Sequence, residues 1–131
     1  MPEEEAKLVR RAFTEMYRGE YQEAARAFHD DAVWHNTREF PGPHCCQGPQ
    51  AIIDFCTSMM EDFEGTQEVE RLAQAGTTVA IGMRSVGRAR RSRIPADVRW
   101  AAVVKVSDGR ISRVDVHGEW SKALKAAGLK D

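Results

Sequence analysis

Four residues of this chain combine type and spacing suited to proton chemistry: His35 and Asn36 in the run Phe28-His29-Asp30-Asp31-Ala32-Val33-Trp34-His35-Asn36, and Asp115 with His117 near the C-terminal end. An unperturbed imidazole changes charge near neutrality, so histidine is the natural general acid or base. Asp115 and His117 stand two apart, which places a carboxylate and an imidazole on the same face of a strand. Asn36 is an amide, which donates and accepts hydrogen bonds but takes up no proton at neutral pH. In a strand Trp34 and Asn36 share a face, with Asn36 as its polar inward group.

Other groupings carry less. His29, His35, His44, Cys45 and Cys46 tempt a metal reading, but their spacing matches no zinc pattern, so no metal and no cofactor is expected. Cys45, Cys46 and Cys56 make an odd count, and adjacent cysteines are poorly placed for a disulfide. Reduced thiols in a cytoplasmic protein are the expectation. Arg84, Arg88, Arg90, Arg91 and Arg93 cluster around a hairpin, either as a solvated strand end or as a site for an anion.

The elements that position these groups can be read from periodicity. Pro2 followed by Glu3, Glu4 and Glu5 suits a helix start, and Val9, Phe13, Met16 and Tyr17 form its apolar stripe. Gly19 closes it, and Tyr21, Ala24, Ala25 and Phe28 repeat the pattern in a short second helix. A strand at Val33–Asn36 precedes a loop from Arg38 to Gln47 containing Pro41, Gly42 and Pro43. Gly48 and Pro49 open a third helix whose stripe is Ile52, Phe55, Cys56, Met59 and Phe63. From Thr66 the period changes to that of strands. Turns are expected at Ala75-Gly76-Thr77 and Ser107-Asp108-Gly109, and a last strand from Ile111 to Trp120. Ser121 caps a final short helix ending at Gly128 and Leu129. On the last strand Val114, Val116 and Gly118 read as inward, which sends Asp115 and His117 to the opposite face. Glu119 would then oppose Arg99 across the hairpin.

Nearly the whole chain resembles the SnoaL-like branch of the nuclear-transport-factor-like and ketosteroid-isomerase-like superfamily. The residues that carry the likeness are Arg18-Gly19-Glu20-Tyr21, Asp30-Asp31-Ala32-Val33-Trp34-His35, Phe40-Pro41-Gly42, Gly48-Pro49-Gln50-Ala51-Ile52, Asp108-Gly109-Arg110-Ile111 and Ala123-Leu124-Lys125-Ala126-Ala127-Gly128-Leu129. The resemblance implies one α+β domain over residues 1–131. Its cone-shaped, strongly curved, mixed or antiparallel sheet would wrap around three N-terminal helices, with a short C-terminal helix and a pocket inside. It also implies where chemistry would sit. Ketosteroid isomerases use an Asp base, a Tyr and a protonated Asp; those positions fall on Asn36, near Ala12 and near Ala102. Epoxide-hydrolase-like members place a Tyr and an Asn at Trp34 and Asn36, and an Asp–Arg–Asp set near Met83, Ser85 and Val116. Polyketide-cyclase members use an acid or His base on the sheet, for which Asp115 and His117 are the nearest groups. The isomerase and epoxide-hydrolase sets are therefore missing, and no ketosteroid isomerisation is expected.

Composition sets the outer limits. At 131 residues, 42% hydrophobic and 30% charged, the chain has the make-up of one globular domain. A formal net charge of -1 disfavours nucleic acid or an acidic membrane as partner, and no secretory leader or apolar span is apparent. The leading expectation is a protein binding a small, mainly hydrophobic molecule, with Trp34, Asn36, Phe55, Met59, Met83, Trp100, Val114 and Val116 around it. An enzyme of the cyclase, isomerase or hydrolase kind, using His35, Asn36 or Asp115 and His117, is one rival. A non-catalytic dimerisation or interaction module is the other. Ala101 and Val103, apolar between Arg99 and Lys105 on the outer sheet face, suggest a homodimer through that face.

Overall fold

The computed structural model describes residues 3–37 and 44–129. Its elements run α1 (Glu3–Tyr17), α2 (Tyr21–Arg26), β1 (Phe28–His35), β2 (Cys45–Gln47), α3 (Pro49–Glu61), β3 (Phe63–Ala75), β4 (Thr78–Ala89), β5 (Pro95–Ser107), β6 (Arg110–His117) and α4 (Trp120–Ala126). The strands form one open mixed sheet in the order β2-β1-β6-β5-β4-β3, with β1 and β6 parallel and all other pairs antiparallel. This is the α+β architecture expected. Pro2, Pro41, Gly42 and Pro43 lie outside the described residues. Among the described residues no helix is long and apolar enough to cross a membrane.

The core lies between the helices α1 to α3 and the inner face of the sheet. Val9, Ala12, Phe13 and Met16 recur on one side of α1 and are fully buried, as are Ile52 on α3 and Val79, Ile81, Ala102, Val104, Ile111 and Val114 on the strands. The alternation of β4 to β6 follows from the period of a strand: inward side chains meet the helices. The β5–β6 turn bends through Asp108 and Gly109, whose φ values of 52° and 76° are both left-handed, as a two-residue hairpin with the sheet's twist requires. α4 ends as expected, with Leu129 N–H donating to Leu124 O at 2.8 Å and Gly128 N–H to Lys125 O at 3.1 Å.

Several boundaries differ from the sequence reading. Phe28 opens β1 rather than ending a helix, and Asp30 and Asp31 lie inside that strand, where its pairing with β6 is irregular. Cys45–Gln47, expected in a loop, forms β2 because it pairs with Val33, Trp34 and His35. Phe63 begins β3 rather than continuing the α3 stripe. β6 stops at His117, so Glu119 precedes α4 and does not face Arg99, which pairs with Glu70 at 2.9 Å instead.

The outer face brings the largest correction. Trp120, expected on the last strand, begins α4, and α4 lies back across the sheet. Ala101, Val103 and Ala123 form a second buried cluster there, with Trp120 and Ala127 packed against it. Trp120 lies against Gly82, with Arg71 over its ring at 5.8 Å. The apolar centre that suggested a homodimer through the outer sheet face is therefore covered by the chain's own last helix, and that expectation loses its basis.

Gly65 and Gly87 face each other in register across β3 and β4. A Cβ on Gly87 would run into the carbonyl oxygen of Glu64 and come 2.7 Å from the Gly65 Cα. Backbone cannot swing aside as a flexible side chain does. Gly87→Ala is expected to destabilise the protein by about 2 kcal/mol, read as a lower urea midpoint; an unchanged midpoint would show that the strands part there freely.

Candidate functional site

A half-open cavity of about 220 Å³ lies between α1, α3 and the inner face of the sheet. One wall is aromatic. Trp34 stacks on Phe13 with ring centroids 5.8 Å apart at 22° and leans on Phe55 at 6.3 Å. Phe55, Cys56 and Met59 line the cavity from α3, and Phe63 from the start of β3. The opposite wall is Trp100 and Val98 from β5 with Val116 from β6, and Tyr17 closes the α1 side edge-on to Trp100 at 6.3 Å.

The polar groups are few and mutually bonded. Trp34 donates its indole N–H to Asn36 Oδ1 at 2.9 Å, while the Asn36 backbone N–H donates to His44 O at 2.8 Å. Trp100 donates its indole N–H to Ser85 Oγ at 3.1 Å, and Ser85 donates to Gln67 Oε1. Among the described residues the Gln67 amide nitrogen, by contrast, meets only the Met60 sulfur, 3.9 Å away. No Lys, Arg, Asp, Glu or His lines the cavity among the described residues. Its titratable groups there are Tyr17 and Cys56. Burial pushes the Tyr17 phenol well above its ordinary value, and the neighbouring Cys56 adds to the rise. Burial likewise drives the Cys56 thiol up to about 12, against a hydrogen bond from Tyr17 that pulls it back. Both groups stay protonated at neutral pH, so neither is a base there.

Of the residues singled out in the sequence, the fold brings Trp34, Asn36, Phe55, Met59, Trp100 and Val116 around this cavity. Met83 and Val114 are not in its wall; they are buried in the core at 1% and 0% exposure. His35, Asp115 and His117 lie on the outer face of the sheet, because they alternate with the inward Trp34, Val114 and Val116. Asn36 and Val116 reach both sides of this edge. The arginine cluster also points outward: Arg84 grips Asp97 through two nitrogens at 2.9 and 2.7 Å, and Arg93 pairs with Glu64 at 3.3 Å. Among the described residues no three metal-ligating side chains converge.

Sequence reasoning missed Tyr17, Cys56, Gln67 and Ser85 as cavity groups. Tyr17 and Cys56 were read as parts of apolar helix stripes, and Ser85 only as the place of an absent arginine. The available signal was parity: Ser85 and Gln67 fall in the same inward phase as Met83 and Val69.

The chain belongs to the SnoaL-like domain family, whose pattern matches residues 9–114. No curated protein matches it by sequence. Among solved structures it is similar to an NTF2-like protein from Burkholderia xenovorans, at 18% identity and a TM-score of 0.78 over 97% of both chains. It is also similar to TerC, crystallised with polyporic acid, at 11% identity and a TM-score of 0.77 over 95% of this chain and 97% of that one. A third is a Catenulispora acidiphila protein of ketosteroid isomerase-like fold, in complex with trimethylamine, at 16% identity and a TM-score of 0.69 over 88% of each chain. At these identities the likeness is one of fold.

Proposed function

We propose that this protein binds a small, neutral, mainly hydrophobic molecule in the cavity between α1, α3 and the sheet, and that the cavity performs no general-base chemistry. The observation that carries this reading is the lining: aromatic and aliphatic walls, a few bonded polar groups and, among the described residues, no side chain that changes charge near neutrality. A buried charge without a counter-charge is costly, so an ionised ligand would find no compensation here. Size narrows the class further. An apolar cavity of about 150 Å³ accepts benzene, so about 220 Å³ suits a molecule of one or two rings. The Gln67 amide N–H is the donor best placed to meet a ligand carbonyl or ether oxygen, since its partner among the described residues is a thioether sulfur. Two proteins of similar fold were crystallised with small molecules, polyporic acid and trimethylamine, which supports a small-molecule role without fixing the ligand. The open space beside Trp34 and Trp100 weighs against an interaction module whose rings simply fill the cone.

The three tryptophans make a direct test, because Trp34 and Trp100 line the cavity and Trp120 lies on the far face of the sheet. Titration with acetophenone, a neutral aromatic ketone, should shift the indole N–H NMR signals of Trp34 and Trp100 and leave Trp120 in place. Ala96→Trp, which adds a ring to the cavity wall, should weaken binding at least about 10-fold. Equal movement of all three signals, or none, would remove the cavity as a binding site.

A further inference from the structure

A second group of reactive side chains lies outside the cavity, on the outer face at the β2 edge of the sheet. Cys45 on β2 is opposite His35 on β1 in an antiparallel pair, and its Sγ stands 3.9 Å from His35 Nε2. Asp115 is level with His35 on the next strand, and its carboxylate accepts from Arg113 Nε at 2.8 Å. Beside His35 is a recess of about 360 Å³ whose polar lining includes His35, Lys105, Arg113, Asp115 and His117. That lining sets two fixed cations, Lys105 and Arg113, against one carboxylate. Cys45 is exposed, whereas Cys46 and Cys56 are buried.

We propose that Cys45 is a reactive thiol with His35 as its base, and that it exchanges with small anionic disulfides whose charge seats in the adjoining basic recess. A thiol attacks only as its thiolate, so an imidazole within reach of the sulfur is the group that makes attack possible near neutral pH. In the step, His35 Nε2 takes the Cys45 proton. The sulfur attacks one sulfur of the incoming disulfide, whose S–S bond breaks while a new S–S bond to Cys45 forms. The departing thiolate recovers a proton from the His35 imidazolium or from water. The incoming disulfide is the oxidant, so the electrons balance with one free thiol consumed and one released. Lys105 and Arg113 favour reagents that carry a carboxylate or sulfonate near the reacting sulfur, and Asp115 holds the Arg113 fork in place. Among the described residues, His44 and Cys46 on either side of Cys45 in the chain and His117 on β6 are further titratable groups near the pair.

The test is the rate of thiol release from dithiobis-nitrobenzoate, which is anionic, against dithiodipyridine, which is neutral. One equivalent per chain should react quickly, and mass spectrometry should place it on Cys45. His35→Gln should slow both reagents at least about 10-fold at neutral pH and move the midpoint of the pH–rate profile upward. Lys105→Gln should slow the anionic reagent and spare the neutral one, a difference that added salt should erase. His35 is partly buried and Lys105 exposed, so both variants should melt with the parent. Equal rates for parent and His35→Gln, or rapid labelling at Cys46 or Cys56 instead, would overturn the proposal. So would a Cys45 that reacts no faster than free cysteine.

Discussion

Trp34→Ala is expected to destabilise the protein by about 3–5 kcal/mol, the range for removing a large aromatic side chain from a packed interior. Trp34 is 1% exposed and joins three parts of the fold: it stacks on Phe13 of α1, leans on Phe55 of α3, and anchors Asn36 through its indole N–H. Its strand is also the parallel partner of β6, so a loss there loosens the edge of the sheet as well as the core. Trp34→Phe separates the contributions. It keeps a ring against Phe13 but gives up the hydrogen bond to Asn36 and part of the volume, and should cost about 1–2 kcal/mol. Urea unfolding of the two variants and the parent measures both. A Trp34→Ala cost under about 1.5 kcal/mol would mean that the neighbouring cavity already leaves the ring loosely held.

Much of this architecture was legible because α1, α3 and β4 to β6 have strong periods. Val9, Phe13 and Met16 cannot share a face in anything but a helix, and Val79, Ile81 and Met83 cannot share one in anything but a strand. The terminus of α4 was equally readable, since Gly128 and Leu129 supply the two residues such an end needs. What escaped was decided by partners distant in the chain. β2 is three residues long, with little pattern of its own; it exists because β1 offers an unpaired edge. The division of Ile111–Trp120 into strand and helix was lost for a similar reason. Trp120 reads as a strand residue until Ala101 and Val103 are seen to need a cover.

The site was legible on one wall and hidden on the other. Trp34, Asn36, Trp100 and Val116 follow from strand phase alone. Met83 and Val114 share that phase, yet the core closes over them, and phase does not tell a cavity wall from packed interior. Tyr17 and Cys56 were concealed by their neighbours: each sits in a helical stripe that buries apolar groups, and only the meeting of α1 with α3 shows that a phenol and a thiol face one another.

That pairing predicts a second large effect, on alkaline stability. Folding holds the Cys56 thiol protonated up to about 12, against 9.0 for an ordinary thiol, chiefly because burial penalises the thiolate. The Tyr17 phenol is raised in the same direction, also mainly by burial. Below pH 9.0 neither state of the chain ionises Cys56, and its burial contributes in full. Above that value the unfolded chain sheds a proton that the folded chain retains, so stability falls with rising pH until the folded value is passed. From Cys56 alone the loss should reach about 2 kcal/mol near pH ~10.5, and Tyr17 adds to it as the pH passes its ordinary 10.0. Urea unfolding at about pH 8 and about pH 10.5 should therefore show a steep drop in the parent and a shallower one in Cys56→Ala, whatever that variant costs at the lower pH. Tyr17→Phe should relieve part of what remains, the Cys46 thiol being raised by burial as well. If the parent and the double variant lose stability equally over this window, Tyr17 and Cys56 are not held neutral by the fold. The cavity wall would then let a thiol and a phenol ionise as readily as in the unfolded chain, and the claim that burial there excludes charge would fail with it.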